Sequence, residues 1–352
     1  MFEIFGIPSN ALFSQLLIGL INGSFYALLS LGLAVIFGML NIINFTHGAQ
    51  YMLGAFAAYL LLQHAGIGYW PALIVAPILV GFLGILLERN LISQLNKANK
   101  SRTVVFFAST AVIFYALTKT GIESVTAFCA AVVVAFLIAE GFAWWRRSDD
   151  AGEQVDHLYG LLLTFGVALI IEGVARNKYG AAGLPYSMPE ALVGGYDLGF
   201  MRLPVYRAWV VVASLAVCLS TWFVIERTRV GAYLRAATEN PTLVRAFGIN
   251  VPRMVTLTYG FGVGLAALAG VMAAPIYNVS PQMGSSLIIV VFAVVVIGGM
   301  GSIMGAIVTG FGLGIIEGLT KVFFPEASNT VIFIIMAIVL LVRPAGLFGR
   351  TA

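Results

Sequence analysis

The stretch FAVVVIGGMGSIMGAIVTGFGLGIIEG, residues 292–318, carries a single ionisable side chain, Glu317. Two apolar runs, 286–300 and 302–320, meet in it at Gly298-Gly299-Met300-Gly301-Ser302. The second run places Gly310, Gly314 and Gly318 at every fourth position, a smooth stripe down one helix face along which a second backbone can approach. The glycine-rich break has two readings. It is a tight hairpin, or it is irregular backbone at membrane depth of the kind that lines solute sites. Both readings put helices in lipid.

The rest of the 352 residues agrees, with 60% apolar, 10% charged and a mean hydropathy of +0.99. Soluble domains carry about 25% charged residues, so a water-solvated surface cannot be assembled from this chain. Apolar segments recur at about 12–40, 47–63, 69–87, 103–121, 123–145, 157–176, 207–226, 254–277, 286–300, 302–320 and 329–342. The pieces 47–63, 286–300 and 329–342 lie at or below the length of a full crossing and suggest half-helices or re-entrant elements. Their lengths and 39 glycines, without sustained alternation, favour helices over an outer-membrane barrel. The expected fold is all-α: a polytopic transmembrane bundle of about 9–11 segments, with residues 1–352 forming one membrane domain. The first run lacks a basic n-region and a convincing cleavage site, so it reads as a mature membrane segment.

Basic residues report orientation. Loops 88–102, 146–156 and 227–253 and the C-terminus hold most of the Lys and Arg, which assigns them to the cytoplasm. An odd number of crossings then leaves the N-terminus outside. These scattered charges form no basic domain, so no nucleic-acid partner is expected; membrane lipid is. Loop 177–206, with Pro185, Pro189 and Pro204, reads as a folded external cap. Within 227–253, Asn240-Pro241 opens a short helix as N-cap and first helical residue, and Gly248 closes it. Leu243, Val244 and Phe247 fall at spacings that share one face of that helix, with Arg245 elsewhere.

Chemistry is sparse. No G-x-x-x-x-G-K-[ST] phosphate loop occurs, and Gly262-Val263-Gly264 inside a membrane segment is no dinucleotide site. Three His without ligand spacing and two Cys within apolar runs (Cys129, Cys218) give no metal or catalytic constellation, and no cofactor is expected. A Ser-His hydrolase built on Ser302 and His47 has little support. The cluster Asn41, Asn44, His47 and Gln50 interrupts the apolar pattern, either as an unwound segment lining a permeation path or as a polar turn at the cytoplasmic face. Glu172 and Glu317, near the ends of apolar segments, are either path contacts or interfacial side chains.

The blocks GLAVIFGMLNIINFTHGAQYMLGAF (32–56), DHLYGLLLTFGVALIIEGVAR (156–176), LPYSMPEALVGG (184–195), RAATENPTLVRAFGIN (235–250) and 292–318, in this order, resemble the branched-chain amino acid ABC transporter permeases, specifically the LivH-like subunit. The resemblance implies an importer in the bacterial cytoplasmic (inner) membrane. In it a LivH-like and a LivM-like permease sit on two separate cytoplasmic ATPase subunits, and a periplasmic or lipid-anchored binding protein delivers the solute. It further implies that Ala236, Ala237, Pro241, Leu243, Val244, Phe247 and Gly248 belong to the ATPase-coupling motif. ATP hydrolysis would reside on the partners, and this chain would be no enzyme. Relatives importing urea or short amides, and an ion-coupled secondary transporter, are the competing readings. One region departs from the family pattern: about sixty residues at 94–155 read as an inserted helical hairpin, 103–121 and 123–145.

Overall fold

The computed structural model describes residues 3–4, 7–40, 44–92 and 157–349, with scattered positions between 109 and 138. Asn41 and nearly all of the 94–155 insertion lie outside the described residues. The described chain is a helical bundle: α1 (Ser9–Leu40), α2 (Thr46–Ala65), α3 (Tyr69–Leu87), α4 (His157–Tyr179), α5 (Val205–Arg227), α6 (Arg229–Glu239), α7 (Pro241–Ala246), α8 (Val251–Tyr277), α9 (Met283–Gly298), α10 (Ile303–Phe323) and α11 (Val331–Val342). Helices α1, α3, α4, α5, α8 and α10 are long and apolar enough to cross a membrane. The protein is therefore a multi-pass helical membrane protein. At 16 and 12 residues, α9 and α11 are as short as their apolar runs implied. In contrast, α2 reaches 20 residues, because the polar positions flanking its apolar run are also helical. Gly66 ends it in the left-handed region at φ 63°, where its N–H and that of Ile67 satisfy the carbonyls of Leu62 and Leu61.

Helices α1 and α8 form the centre, with 78% and 72% of their most apolar windows buried, whereas α4 and α5, at 22% and 28%, are the most open among the described residues. Lipid gives no hydrophobic drive between helices, so close backbone packing must supply the contact energy. The glycine stripes do this by pairing. A Cβ built on Gly314 of α10 would lie 2.3 Å from the Cα of Gly23 and 2.5 Å from the carbonyl of Gly19 on α1. Gly32 of α1 meets Gly262 of α8, Gly54 of α2 meets Ala267, and Gly81 of α3 meets Gly260.

The two ends of the bundle differ. One gathers Met39, α6, α7 and the start of α8 around buried Ala237, Val244 and Val251. Gly38 touches Gly301 there, and the C-terminal segment folds back so that the N–H groups of Leu347 and Phe348 donate to Ile297 (2.8 Å) and Gly298 (3.1 Å). Arg227, Arg229, Arg235, Arg245, Arg253 and Arg343 sit at or near this end, the one the basic-residue count assigns to the cytoplasm. The glycine-rich break is a hairpin at this end, with Gly299 and Gly301 at φ 100° and 84° and the Ser302 hydroxyl accepting from the N–H of Gly305.

At the other end Tyr206 donates to the Met272 carbonyl (2.8 Å), within a ring cluster of Tyr69, Trp70 and Trp209 that suits a membrane interface. The 180–204 segment folds over it, with β1 (Gly195–Asp197) paired to β2 (Arg202–Pro204) and Leu184 bridged to Val279. Tyr186 of this segment is buried, and that burial pushes its phenol pKa up.

Candidate translocation pocket and docking helix

The polar cluster after α1 folds inward. Asn44 lies two residues before α2, its side-chain oxygen accepting from the N–H of Thr46 (3.1 Å) and its carbonyl from that of His47 (3.3 Å). Its amide nitrogen donates to the hydroxyl of Tyr259 on α8 (3.0 Å), and the Gln50 side chain reaches the same hydroxyl (3.2 Å). His47 Nε2 donates to the Leu29 carbonyl of α1 (3.0 Å). All three residues are at most 2% exposed. Buried polar groups in lipid must find partners, and each of these three makes at least one bond to α1 or α8. Thr164 of α4 holds the same junction from the other side, accepting from the Phe45 N–H and, through its carbonyl, from the Thr46 hydroxyl.

Beside this junction lies a pocket of about 50 Å³ between α2, α4 and α9. Gly48, Ala49 and Met52 form one wall, Phe165, Leu169 and Glu172 another, Ser285 and Ile288 the third. The first turns of α2 and α9 touch there, since a Cβ on Gly284 would lie 2.1 Å from the carbonyl of Gly48. Among the described residues of the lining, Glu172 is the one ionisable group, set in mostly apolar walls. Of the residues named from sequence, Glu172 thus reaches the pocket, while Asn44, His47 and Gln50 face the helix core behind it. Glu317 stands apart on α10, 5% exposed, accepting from the Tyr26 hydroxyl (2.7 Å) and paired with Lys321.

The 227–253 segment contains two helices where the sequence suggested one. α6 precedes α7, burying Leu234 and Ala237 and leaving Ala236 exposed. α7 forms as expected: the Asn240 side chain accepts from the Leu243 N–H (2.9 Å), Pro241 opens the helix, and Gly248 follows at φ 80°. The shared face expected of Leu243, Val244 and Phe247 holds for Leu243 and Phe247 but not for Val244. Val244 is 5% exposed and packs on Ala237 and Val251, whereas Leu243 and Phe247 are 55% and 77% exposed. The reason is angular: Leu243 and Phe247 are four residues apart, joined by the bond from the Phe247 N–H to the Leu243 carbonyl (3.3 Å), and open on the same side, whereas Val244 is turned about 100° from Leu243 and packs against α6 and the start of α8.

Residues 15–340 match the family described as "Branched-chain amino acid transport system / permease component". The chain belongs to this family. Among curated relatives of this permease, the high-affinity branched-chain amino acid transport system permease protein LivH of Escherichia coli K12 is 26% identical over 343 residues, covering 96% of this chain and 95% of its own. BraD of Pseudomonas aeruginosa is 26% identical over 346 residues, with the same coverage. A probable LivH permease of the archaeon Methanocaldococcus jannaschii is 25% identical over 341 residues, covering 94% and 90%. No solved structure matched the chain.

Sequence reasoning missed two residues of this permease. Tyr259 ties α8 to α2, and Thr256, one turn earlier, donates to the buried carboxylate of Glu88 (2.7 Å) at the end of α3. Their only signal was polarity ahead of the glycine run 260–264, in a helix read for its glycines alone.

Proposed function

We propose that this chain is one of two permease subunits of an ATP-driven importer of branched-chain or related small amino acids in the cytoplasmic membrane. A LivM-like permease completes the path, two cytoplasmic ATPase subunits supply the power stroke, and a periplasmic or lipid-anchored binding protein delivers the solute. The observation that carries this reading is the end-to-end likeness to LivH and BraD permeases, whose names state branched-chain amino acid transport. The chain contains no phosphate loop of its own, which is why hydrolysis is assigned to the partners.

Two sites divide the work. The ATPase grips α6 and α7, where Leu243, Phe247 and Ala236 face outward; Ala237, Pro241, Val244 and Gly248 hold that platform in shape. The pocket between α2, α4 and α9 is this subunit's wall of the path. Its apolar surfaces suit an aliphatic side chain, and the Glu172 carboxylate suits the solute's ammonium group. Asn44, His47 and Gln50, with Asn41 beside them in sequence, act on the path from behind by fixing the start of α2. The Glu317–Tyr26 bond braces α10 against α1. Residues 1–352 work as one membrane domain, with 177–206 as its external cap and 94–155 as an inserted hairpin.

The test is reconstitution of the chain with its partners in proteoliposomes. ATP-dependent import of leucine, valine or isoleucine supports the reading, and import of urea instead of amino acids overturns the solute class. Replacing Glu172 by Gln separates the classes further, because an ammonium group loses its ionic partner whereas a neutral amide still finds an acceptor in the Gln side-chain oxygen.

A further inference from the structure

The hydrogen bonds around Tyr259 leave three loose ends when the Gln50 amide is drawn with its nitrogen toward the tyrosine. Tyr259 then accepts from both Asn44 and Gln50, and its own hydroxyl hydrogen has no described acceptor. Gln50 Oε1 and His47 Nδ1, both buried, are without partners. The two ends of the group are nevertheless fixed by backbone. The Thr46 N–H holds Asn44 Oδ1, so the Asn44 nitrogen must donate to Tyr259. The Leu29 carbonyl requires a proton on His47 Nε2, so in the neutral ring Nδ1 can only accept. Exchanging the Gln50 oxygen and nitrogen, which occupy nearly equivalent positions, resolves all three loose ends together. Tyr259 then donates to Gln50 Oε1, and Gln50 Nε2, on the side of the amide that lies within hydrogen-bonding reach of the His47 ring, donates to His47 Nδ1. The result is one directed chain: Asn44 to Tyr259 to Gln50 to His47 to the Leu29 carbonyl.

This chain joins two places the proposed function uses. Tyr259 lies two turns along α8 from Val251, which packs against Val244 of the docking helix. Asn44, His47 and Gln50 hold the first turns of α2, whose Gly48, Ala49 and Met52 form a wall of the pocket. We infer that Tyr259 and Gln50 are positioning residues for transport: through them α8 carries the start of α2, and that wall of the pocket, when the docking helix moves. This rests on the importer reading above. The physical basis is that a fully satisfied buried polar chain moves as a unit, whereas the apolar contacts around it can slide.

The experiment uses the whole reconstituted importer and compares wild type, Tyr259→Phe, Gln50→Leu and the double variant. Solute imported and ATP hydrolysed are measured in the same vesicles. Wild type lacking ATP-dependent import would refute the importer reading itself, before any variant is scored. With wild type active, the expected result is assembly and ATP hydrolysis within about two-fold of wild type, and solute moved per ATP lowered by about five-fold in each single variant. The double variant should be no worse than either single one, since both cut the same chain. An unchanged ratio of solute to ATP in both single variants overturns the inference. So do losses that multiply in the double variant. Failure of both single variants to assemble also overturns it, by showing the chain to be a folding element only.

Discussion

Truncating Phe247 to Ala separates the docking helix from an ordinary surface turn. Phe247 keeps 77% of its surface open in the isolated chain. An aromatic side chain offers about 200 Å² for burial, so about 150 Å² is available to a partner. At about 25 cal/mol per Å², half of that area buried in a groove is worth about 2 kcal/mol, or about a 30-fold change in Kd. The same exposure means that little of the permease's own stability depends on this ring. Val244→Ala is the counterpart: at 5% exposure it loses packing against Ala237 and Val251 and should cost the fold about 1–2 kcal/mol. The assay is titration of the ATPase onto the permease pair in nanodiscs, with thermal unfolding measured alongside. Phe247→Ala should weaken ATPase binding by about 30-fold at unchanged unfolding temperature, and Val244→Ala should lower the unfolding temperature. ATPase binding within about two-fold of wild type in both Phe247→Ala and Leu243→Ala would refute the docking assignment and leave α7 a helix resting on the lipid surface.

Gly314→Ala should cost about 2 kcal/mol or more, because its new methyl would sit 2.3 Å from backbone and force α1 and α10 apart by about 1 Å. Gly312→Ala, two residues away with nothing within 4 Å, should be neutral or stabilising by about 0.5–1 kcal/mol; equal unfolding temperatures for the two variants would contradict the packing described. Glu172→Gln should raise the solute concentration needed for half-maximal amino acid import while leaving assembly intact, and unaltered import kinetics would remove Glu172 from the path. Tyr186→Phe deletes a buried hydroxyl without a described partner and should be neutral or stabilising by about 1 kcal/mol. Because burial raises that phenol, its contribution is present below pH 10 and lost at higher pH, so the variant should also lose less stability in alkali. Alkaline unfolding curves that coincide would contradict the burial of Tyr186.

The bundle was legible because lipid forces apolar runs and small-residue stripes onto the sequence itself. Gly310, Gly314 and Gly318 announced a close helix contact, and Asn240-Pro241 with Gly248 announced α7, since both follow from local backbone chemistry. The choice of partner is not local. Nothing in the order of residues says that Gly314 meets Gly23, or that Gly54 meets Ala267, because those pairs are set by how whole helices stack. The same limit misassigned Val244, whose inward turn depends on α6, a helix hidden by its charges. It also hid the meaning of Asn44, His47 and Gln50. Their polarity marked an interruption in the membrane pattern, but whether it faced a path or a core depended on Tyr259, over two hundred residues away.

The central claim, an ATP-powered amino acid permease subunit, is tested most directly by uptake of radiolabelled leucine into proteoliposomes holding this chain, its partner permease, both ATPases and the binding protein. Uptake that requires ATP in the ATPase compartment, ceases when this chain is omitted, and persists after sodium and proton gradients are dissipated is the result expected. Uptake that continues without the ATPases and follows an ion gradient would contradict the account and make the chain a secondary transporter.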